Sequence, residues 1–166
     1  MGRGFEFKCC DCGKEYHINL GAGFMYPRVY EEAVEKIEEG EYGPHLKEAF
    51  ESVKYAAIDA SRVLFKCPDC GNWEVDMDLS IYAPNDVERV KALRFGEKTV
   101  QEWGGIPYAM TYMLEEDFHL IKEYKRSCRK CGAEMEKLND IKDCSILSCP
   151  KCGKENECEP SIVCWD

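Results

Sequence analysis

The chain has 166 residues, of which 45% are hydrophobic, and its formal net charge is −10. This length fits one ordinary domain or two small ones, and no apolar run approaches the roughly 20 residues that a membrane helix needs. The first residues contain no continuous apolar segment of the kind that secretory signals carry, so we expect a cytoplasmic protein that does not bind a membrane.

Two short strands are expected around the first Cys-x-x-Cys pair. Residues 5–8 alternate apolar and polar side chains before Cys9 and Cys12, and residues 16–20 alternate again after them. A period of two is typical of a β-strand, because successive side chains point to opposite faces. The pattern therefore predicts one strand entering the pair and one returning from it.

Two helices are expected in the next segment, residues 21–60. Pro27 suits the first turn of a helix, apolar residues then recur at three- and four-residue steps, and Gly40 is a suitable C-cap. The same spacing predicts a second helix from Pro44. Residues 31–51 hold eight Glu against two Lys, which favours a solvated acidic face, with a docking surface for a basic partner as the alternative.

The clearest strand pattern follows the second pair, Cys67 and Cys70. Residues 62–66 predict a strand leading into this pair. From Trp73 to Ile81, apolar residues alternate with acidic or polar ones, which predicts a single strand with one apolar face. We expect this face to pack on the two helices or on the first strand.

The remaining elements are expected to be short. Asp86 can cap a helix over residues 87–93, and the aromatic stretch that follows predicts a connecting segment. Residues 119–125 predict a strand entering the third cysteine pair. Beyond that pair, residues 139–140 suit a hairpin tip and residues 145–148 lead into the last pair.

Four Cys-x-x-Cys pairs account for eight of the twelve cysteines, and a glycine follows each pair. Two intervening residues form a turn that brings two thiolates to one ion, and two such turns complete a tetrahedral site of four sulfurs. Because thiols stay reduced in the cytoplasm, metal binding is favoured over the alternative of six disulfides. The eight candidate ligands are Cys9, Cys12, Cys67, Cys70, Cys128, Cys131, Cys149 and Cys152.

Four pairs can form two sites in three ways. We expect neighbours along the chain to share an ion, because this closes the shortest loops. The third and fourth pairs then give Cys-x₂-Cys-x₁₇-Cys-x₂-Cys, a spacing typical of a structural zinc site. The first and second pairs give the same design with 54 residues between them.

The third and fourth pairs resemble a zinc ribbon over about residues 122–160. The first and second, with Cys-x-x-Cys-Gly and then Cys-Pro-x-Cys-Gly, resemble a rubredoxin-like ribbon apart from the long insertion. As a whole, the chain resembles ribbon-bearing bacterial proteins. This resemblance implies an α+β fold of two ribbons made of antiparallel β-hairpins. Residues 1–121 would form the first ribbon, with a two-helix insertion at about 21–60, and residues 122–166 the second. It implies two Zn²⁺ per chain and no particular activity, with iron as the less favoured alternative, which would make the chain a one-electron carrier.

No catalytic arrangement is suggested by residue spacing, and four thiolates per ion leave no open coordination position. We therefore expect a non-catalytic, structural zinc protein that serves as a protein-interaction or scaffolding module, with no small-molecule substrate. The alternative is nucleic-acid binding through the neutral C-terminal ribbon, since residues 1–121 carry the whole net charge of −10 and repel phosphate. The basic cluster behind this alternative is Lys122, Lys125, Arg126, Arg129 and Lys130.

Four cysteines and three histidines remain outside the predicted sites. Cys10 lies within the first pair and is expected to be a bystander thiol, with an alternate ligand or a redox-sensitive neighbour as the alternatives. The others are expected to be packing or surface residues, although the cysteines among them could pair on oxidation. They are Cys144, Cys158, Cys164, His17, His45 and His119.

Overall fold

A computed structural model describes residues 2–94, 107–138 and 147–154, together with the backbone of 161–165. The expected α+β class is confirmed, because these residues form four helices and three antiparallel sheets of three strands each. None of the helices in these ranges is long and apolar enough to cross a membrane. The helices are α1 (Tyr26–Glu39), α2 (Pro44–Glu51), α3 (Val87–Arg94) and α4 (Thr111–Asp117). The strands are β1 (Gly2–Lys8), β2 (Glu15–Leu20), β3 (Ala57–Ile58), β4 (Arg62–Lys66), β5 (Trp73–Met77), β6 (Ile81–Pro84), β7 (Phe118–Lys122), β8 (Glu136–Leu138) and β9 (Ser161–Trp165).

The chain divides into two compact units, each assembled from separated segments. Unit 1 comprises Met1–Gly23, Arg62–Met77 and Lys125–Asp166, and unit 2 comprises Phe24–Ser61 and Asp78–Tyr124. Neither unit is a continuous segment, in contrast to the linear division into 1–121 and 122–166 expected from the sequence. All four cysteine pairs belong to unit 1.

Two sheets of unit 1 share one hydrophobic core. Their strand orders are β2-β1-β9 and β5-β4-β8. The Phe7 and Tyr16 rings stack with their centroids 5.1 Å apart, and the Trp73 ring lies 5.5 Å from that of Tyr16. Burying a large apolar side chain stabilises a fold by about 1.5–3 kcal/mol. The core contains Phe5, Phe7, Tyr16, Ile18, Leu64 and Leu147, with Leu20, Trp73, Val75 and Leu138 packed against it.

Unit 2 contains the sheet β3-β6-β7 and all four helices. The two helices expected in residues 21–60 are confirmed as α1 and α2. Helix α1 has Pro27 in its first turn and ends at Gly40, whose φ of +81° suits the left-handed C-cap. Tyr26 fixes α1 within the unit, since its hydroxyl donates to the carbonyl of Ala109 at 3.0 Å and accepts from the N–H of Ala60 at 3.3 Å.

The prediction of a single strand from Trp73 to Ile81 is wrong. Strand β5 ends at Met77 in unit 1 and β6 begins at Ile81 in unit 2. Between them Leu79 takes a φ of +58° and its N–H donates to the carbonyl of Asp59 at 2.7 Å, so the extended backbone is interrupted. Apolar and polar residues alternate in the sequence on both sides of the break, so this period of two does not mark the change of unit.

The shorter expected elements have mixed outcomes. The helix over residues 87–93 is confirmed as α3, and the Asp86 carboxylate caps it by accepting from the N–H of Arg89 at 2.9 Å. The strand expected over residues 119–125 is present as β7. The connecting stretch contains α4, which was not expected. The hairpin tip at residues 139–140 lies outside the described residues.

Candidate metal centres

Each Cys-x-x-Cys pair forms the same tight turn. The N–H of the first cysteine donates to the carbonyl five residues later, and the N–H of the glycine donates back to the carbonyl of the first cysteine. The N···O distances in all four turns are 2.7–3.0 Å. The four glycines have φ between +67° and +81°, a region that glycine adopts readily and that other residues adopt only with steric strain. They are Gly13, Gly71, Gly132 and Gly153.

The four turns meet in two clusters of sulfur atoms, and within each cluster all four Sγ atoms lie within 4.8 Å of one another. The pairing expected from loop length is wrong, because the first turn meets the fourth and the second meets the third. Each predicted ligand lies in one of the clusters. The outer cluster is Cys9, Cys12, Cys149 and Cys152, and the inner cluster is Cys67, Cys70, Cys128 and Cys131.

Strand pairing explains this nested arrangement. Strand β1 leads into the first turn and pairs with β9, which follows the fourth turn. Strand β4 leads into the second turn and pairs with β8, which follows the third, so that Lys66 lies opposite Glu136. Compared with neighbour pairing, the longer loops cost only about 2 kcal/mol of additional chain entropy. The backbone hydrogen bonds of the β1–β9 and β4–β8 pairs, together with the shared hydrophobic core, outweigh this entropic cost.

The sulfur–sulfur distances fit one tetrahedral ion per cluster. In the outer cluster Cys9 lies 3.6 Å from Cys152, and Cys12 lies 3.6 Å from Cys149. Corresponding distances in the inner cluster are 3.4 Å from Cys67 to Cys131 and 3.7 Å from Cys70 to Cys128. Metal–sulfur bonds of about 2.3 Å place tetrahedral ligands about 3.8 Å apart. All eight cysteines are free, so six disulfides are excluded.

The turns favour ionisation of one thiol in each cluster. Burial disfavours the Cys128 thiolate, but hydrogen bonds from the backbone N–H groups of Cys131 and Lys130, together with those from the Cys70 and Cys131 thiols, lower the pKa of Cys128 to about 6. The N–H of Cys152 outweighs the effect of burial at Cys149 and lowers the pKa of that thiol to about 6. These amides therefore supply part of the positive potential that a cluster of sulfur anions requires.

In each cluster a second thiol has a raised pKa, because the neighbouring sulfur atoms disfavour another negative charge beside them. The N–H of Ala133 favours the Cys131 thiolate, yet Cys67 and Cys70 beside it raise the pKa of Cys131 to about 12. The pKa of Cys152 is likewise raised to about 12. A divalent cation bound between the sulfur atoms would offset their negative charges and allow all four thiols to ionise.

Polar contacts support both clusters. The indole N–H of Trp73, three residues after Cys70, donates to the carbonyl of Ser148, directly before Cys149, at 2.8 Å. It thereby joins the hairpin of the inner cluster to the entry of the outer one. Across the outer cluster, the Lys154 ammonium lies 2.8 Å from the Asp11 carboxylate. Sequence reasoning missed these pairs because each joins distant segments, although every member adjoins or lies within a cysteine turn.

Three of the basic residues around the third turn lie against acidic neighbours. The Arg126 side chain is only 10% exposed, forms ion pairs with Glu74 and Asp76, and lies over the Phe65 ring. Three further members of the predicted cluster are less buried. Lys125 pairs with Glu134, Arg129 lies near Glu74 and Lys130 is exposed. Lys122 belongs to β7 of unit 2.

Cys10 and the three histidines are not members of either cluster. Cys10 is disulfide-bonded, so the expectation of a bystander thiol is wrong, and its partner is not one of the eight free cysteines. Exposed His17 lies 3.4 Å from Glu6, His45 lies 3.8 Å from Glu48, and His119 hydrogen-bonds to Asn85. The side chains of Cys144, Cys158 and Cys164 lie outside the described residues.

Among the described residues, the two clusters are the groups of Cys, His, Asp or Glu whose ligand atoms could hold one ion. Comparison with protein-family models, with curated proteins and with solved structures finds no match to this chain. The chemistry of the sites therefore follows from their own geometry, which supports metal binding.

Proposed function

We propose that this chain is a non-catalytic protein that holds two structural zinc ions, one in each cluster, and acts as a protein-interaction or scaffolding module. The observation that carries the proposal is the meeting of eight free cysteines in two compact sets of four. Zinc accepts four thiolates in tetrahedral geometry, and four protein ligands leave no position for water or substrate. This coordination supports a structural role.

The placement of the clusters supports the same role. Cys12 and Cys149 are 137 positions apart, and Cys70 and Cys128 are 58 apart. Each ion would fasten two β-hairpins, or segments adjoining them, in the manner of the rubredoxin-like ribbons that the spacing resembles. The described hydrophobic cluster that the two sheets of unit 1 share has six buried residues. Structural zinc in small domains provides on the order of 10 kcal/mol of folding free energy.

Metal analysis tests this proposal against the iron alternative. A tetrahedral set of four thiolates suits either metal. The protein should be purified under reducing conditions without added metal and measured by mass spectrometry. We expect two zinc ions per chain and a colourless solution. Iron with visible absorbance would replace the proposal by one-electron transfer, and a folded chain without metal would remove both.

A protein partner is favoured over nucleic acid by the charges of the chain. Its net charge is −10, and Arg126 is occupied by Glu74 and Asp76. We expect no binding to DNA or RNA oligonucleotides at low salt. Binding that falls steeply with salt and is lost in Lys125→Glu with Lys130→Glu would support the nucleic-acid alternative instead.

A further inference from the structure

We propose that a pocket in unit 2 binds one basic side chain, arginine or lysine, from a protein partner. The pocket lies against α1, α2 and the segment after α2, and its volume is about 390 Å³. That volume lies within the range of about 300–1,000 Å³ typical of ligand pockets. The inference rests on the proposed role in protein interaction and is independent of the metal.

Aromatic rings line this pocket. Tyr30, Phe50 and Tyr55 contribute to its wall. Tyr30 is held in place, since it is buried and its hydroxyl accepts from the N–H of Ile58 at 3.2 Å. A cation is attracted to the face of an aromatic ring. The Tyr55 ring already attracts one, because the Lys54 ammonium lies 5.1 Å from its centroid.

The backbone at Tyr55 is strained. Its φ is +60°, in the left-handed region that residues other than glycine rarely adopt. Such strain persists where surrounding structure enforces it, and it concentrates at ligand-binding positions. The residue with this strained backbone is thus one whose ring forms part of the pocket wall.

Two carboxylates select a cationic ligand. Glu38 of α1 and Glu51 of α2 line the same pocket as the rings, and the Glu51 carboxylate also lies 3.5 Å from the Lys47 ammonium in a partly exposed pair. Partly exposed ion pairs contribute little to stability, so a guanidinium from a partner can replace the Lys47 ammonium at Glu51. A guanidinium suits the combination well, because it stacks on aromatic rings and donates to carboxylates in a fork.

The wider charge pattern favours a peptide segment over a free small cation. Residues 31–51 hold eight Glu against two Lys, so negative charge extends beyond the two carboxylates of the pocket. Basic residues flanking the inserted side chain would be attracted to that surface. A free arginine would use the pocket alone.

A titration followed by amide NMR shifts tests the proposal on the full, zinc-loaded chain. The probe is the acetylated peptide Gly-Lys-Gly-Arg-Gly-Lys-Gly, and its comparison carries neutral citrulline in place of arginine. We expect shifts around Phe50 and Tyr55, and binding that is about tenfold weaker for the citrulline peptide, since the cation contacts are lost. Equal binding of the two peptides, or no shifts at the pocket, would overturn the proposal.

Matched charge variants separate the pocket from bulk charge. Glu38→Gln with Glu51→Gln should weaken binding about fivefold or more, whereas Glu35→Gln with Glu48→Gln, which removes the same charge from the same helices, should change it less than about twofold. Equal weakening in both pairs would contradict a specific pocket. Acetyl-arginine amide binding as tightly as the peptide would contradict a peptide partner. Two zinc ions per chain with no peptide binding would remove this inference alone.

Discussion

The Sγ atom of Cys12 lies 3.6 Å from that of Cys149, although the two residues are 137 positions apart. This contact places the N-terminal cysteine turn against the C-terminal one. The inner cluster, which includes Cys70 and Cys128, is enclosed between them along the chain. The ligands of neither site are therefore all contained in residues 1–121 or in residues 122–166.

A fragment of residues 1–121 should not fold around a zinc ion. It contains four paired cysteines, but these are two ligands from each cluster, and it lacks β8 and β9. Nuclear magnetic resonance should show poorly dispersed amide signals, with dispersion restored when residues 122–166 are added. A folded fragment with one bound zinc would show instead that neighbouring pairs share an ion.

Replacing Arg126 should destabilise the protein far more than replacing Lys125. Arg126 is 10% exposed and holds two partly buried carboxylates, so Arg126→Met leaves them without their partner and should lower the free energy of unfolding by about 2 kcal/mol, less than for a fully buried pair. The Lys125–Glu134 pair is exposed, and Lys125→Met should cost less than about 1 kcal/mol. Urea denaturation of the zinc-loaded proteins measures both changes. Equal effects would mean that the Arg126 contacts add little.

Trp73→Phe should weaken the outer cluster. The substitution keeps an aromatic ring in the core but removes the hydrogen bond to the carbonyl of Ser148, worth about 1 kcal/mol. We expect faster zinc loss to a chelator from one site of the two and a lower melting temperature. The exposed Tyr112 provides a control, and Tyr112→Phe should change neither quantity. Unchanged zinc loss in Trp73→Phe would show that this contact does not support the site.

Alkaline pH should destabilise unit 2 through Tyr26. Burial, and then the nearby Asp59 charge, raise the pKa of this phenol far above its usual 10.0. A group whose pKa is raised on folding stabilises the fold fully below its unfolded pKa and loses that contribution as pH rises towards the folded value. Each such tyrosine lowers the free energy of unfolding by about 1.4 kcal/mol per pH unit above about pH 10.

The slope of stability against pH between 9 and 11 measures this effect, and zinc–thiolate sites do not protonate there. Tyr26→Phe should be less stable at pH 8, because it loses the bond to Ala109, and should show a shallower slope. An unchanged slope would mean that Tyr26 is not the source of the alkaline sensitivity.

Local features of the fold were predictable from the sequence because local forces fix them. The Cys-x-x-Cys-Gly spacing specifies the turn, and Gly40 specifies the end of α1 through its positive φ. Apolar spacing likewise predicted α1 and α2. Each of these features depends on contacts within a few residues along the chain.

The pairing of the turns was not predictable in the same way. Loop entropy grows so slowly with length that it ranks the alternatives by only about 2 kcal/mol. The strand pairings that determine which turns meet place Lys66 opposite Glu136 and Glu6 opposite Ser161. Nothing in a single sequence identifies partners that are so far apart along the chain. For the same reason the break at Leu79, where the chain passes to unit 2, was hidden within a continuous alternating pattern.

The nested pairing of the cysteine turns is tested most directly by the zinc that two double variants retain against a chelator. Cys12→Ala with Cys149→Ala removes two ligands from one cluster and leaves the other whole, so we predict one retained zinc per chain. Cys12→Ala with Cys70→Ala damages both clusters, so we predict none. One retained zinc in the second variant and none in the first would contradict the nested arrangement.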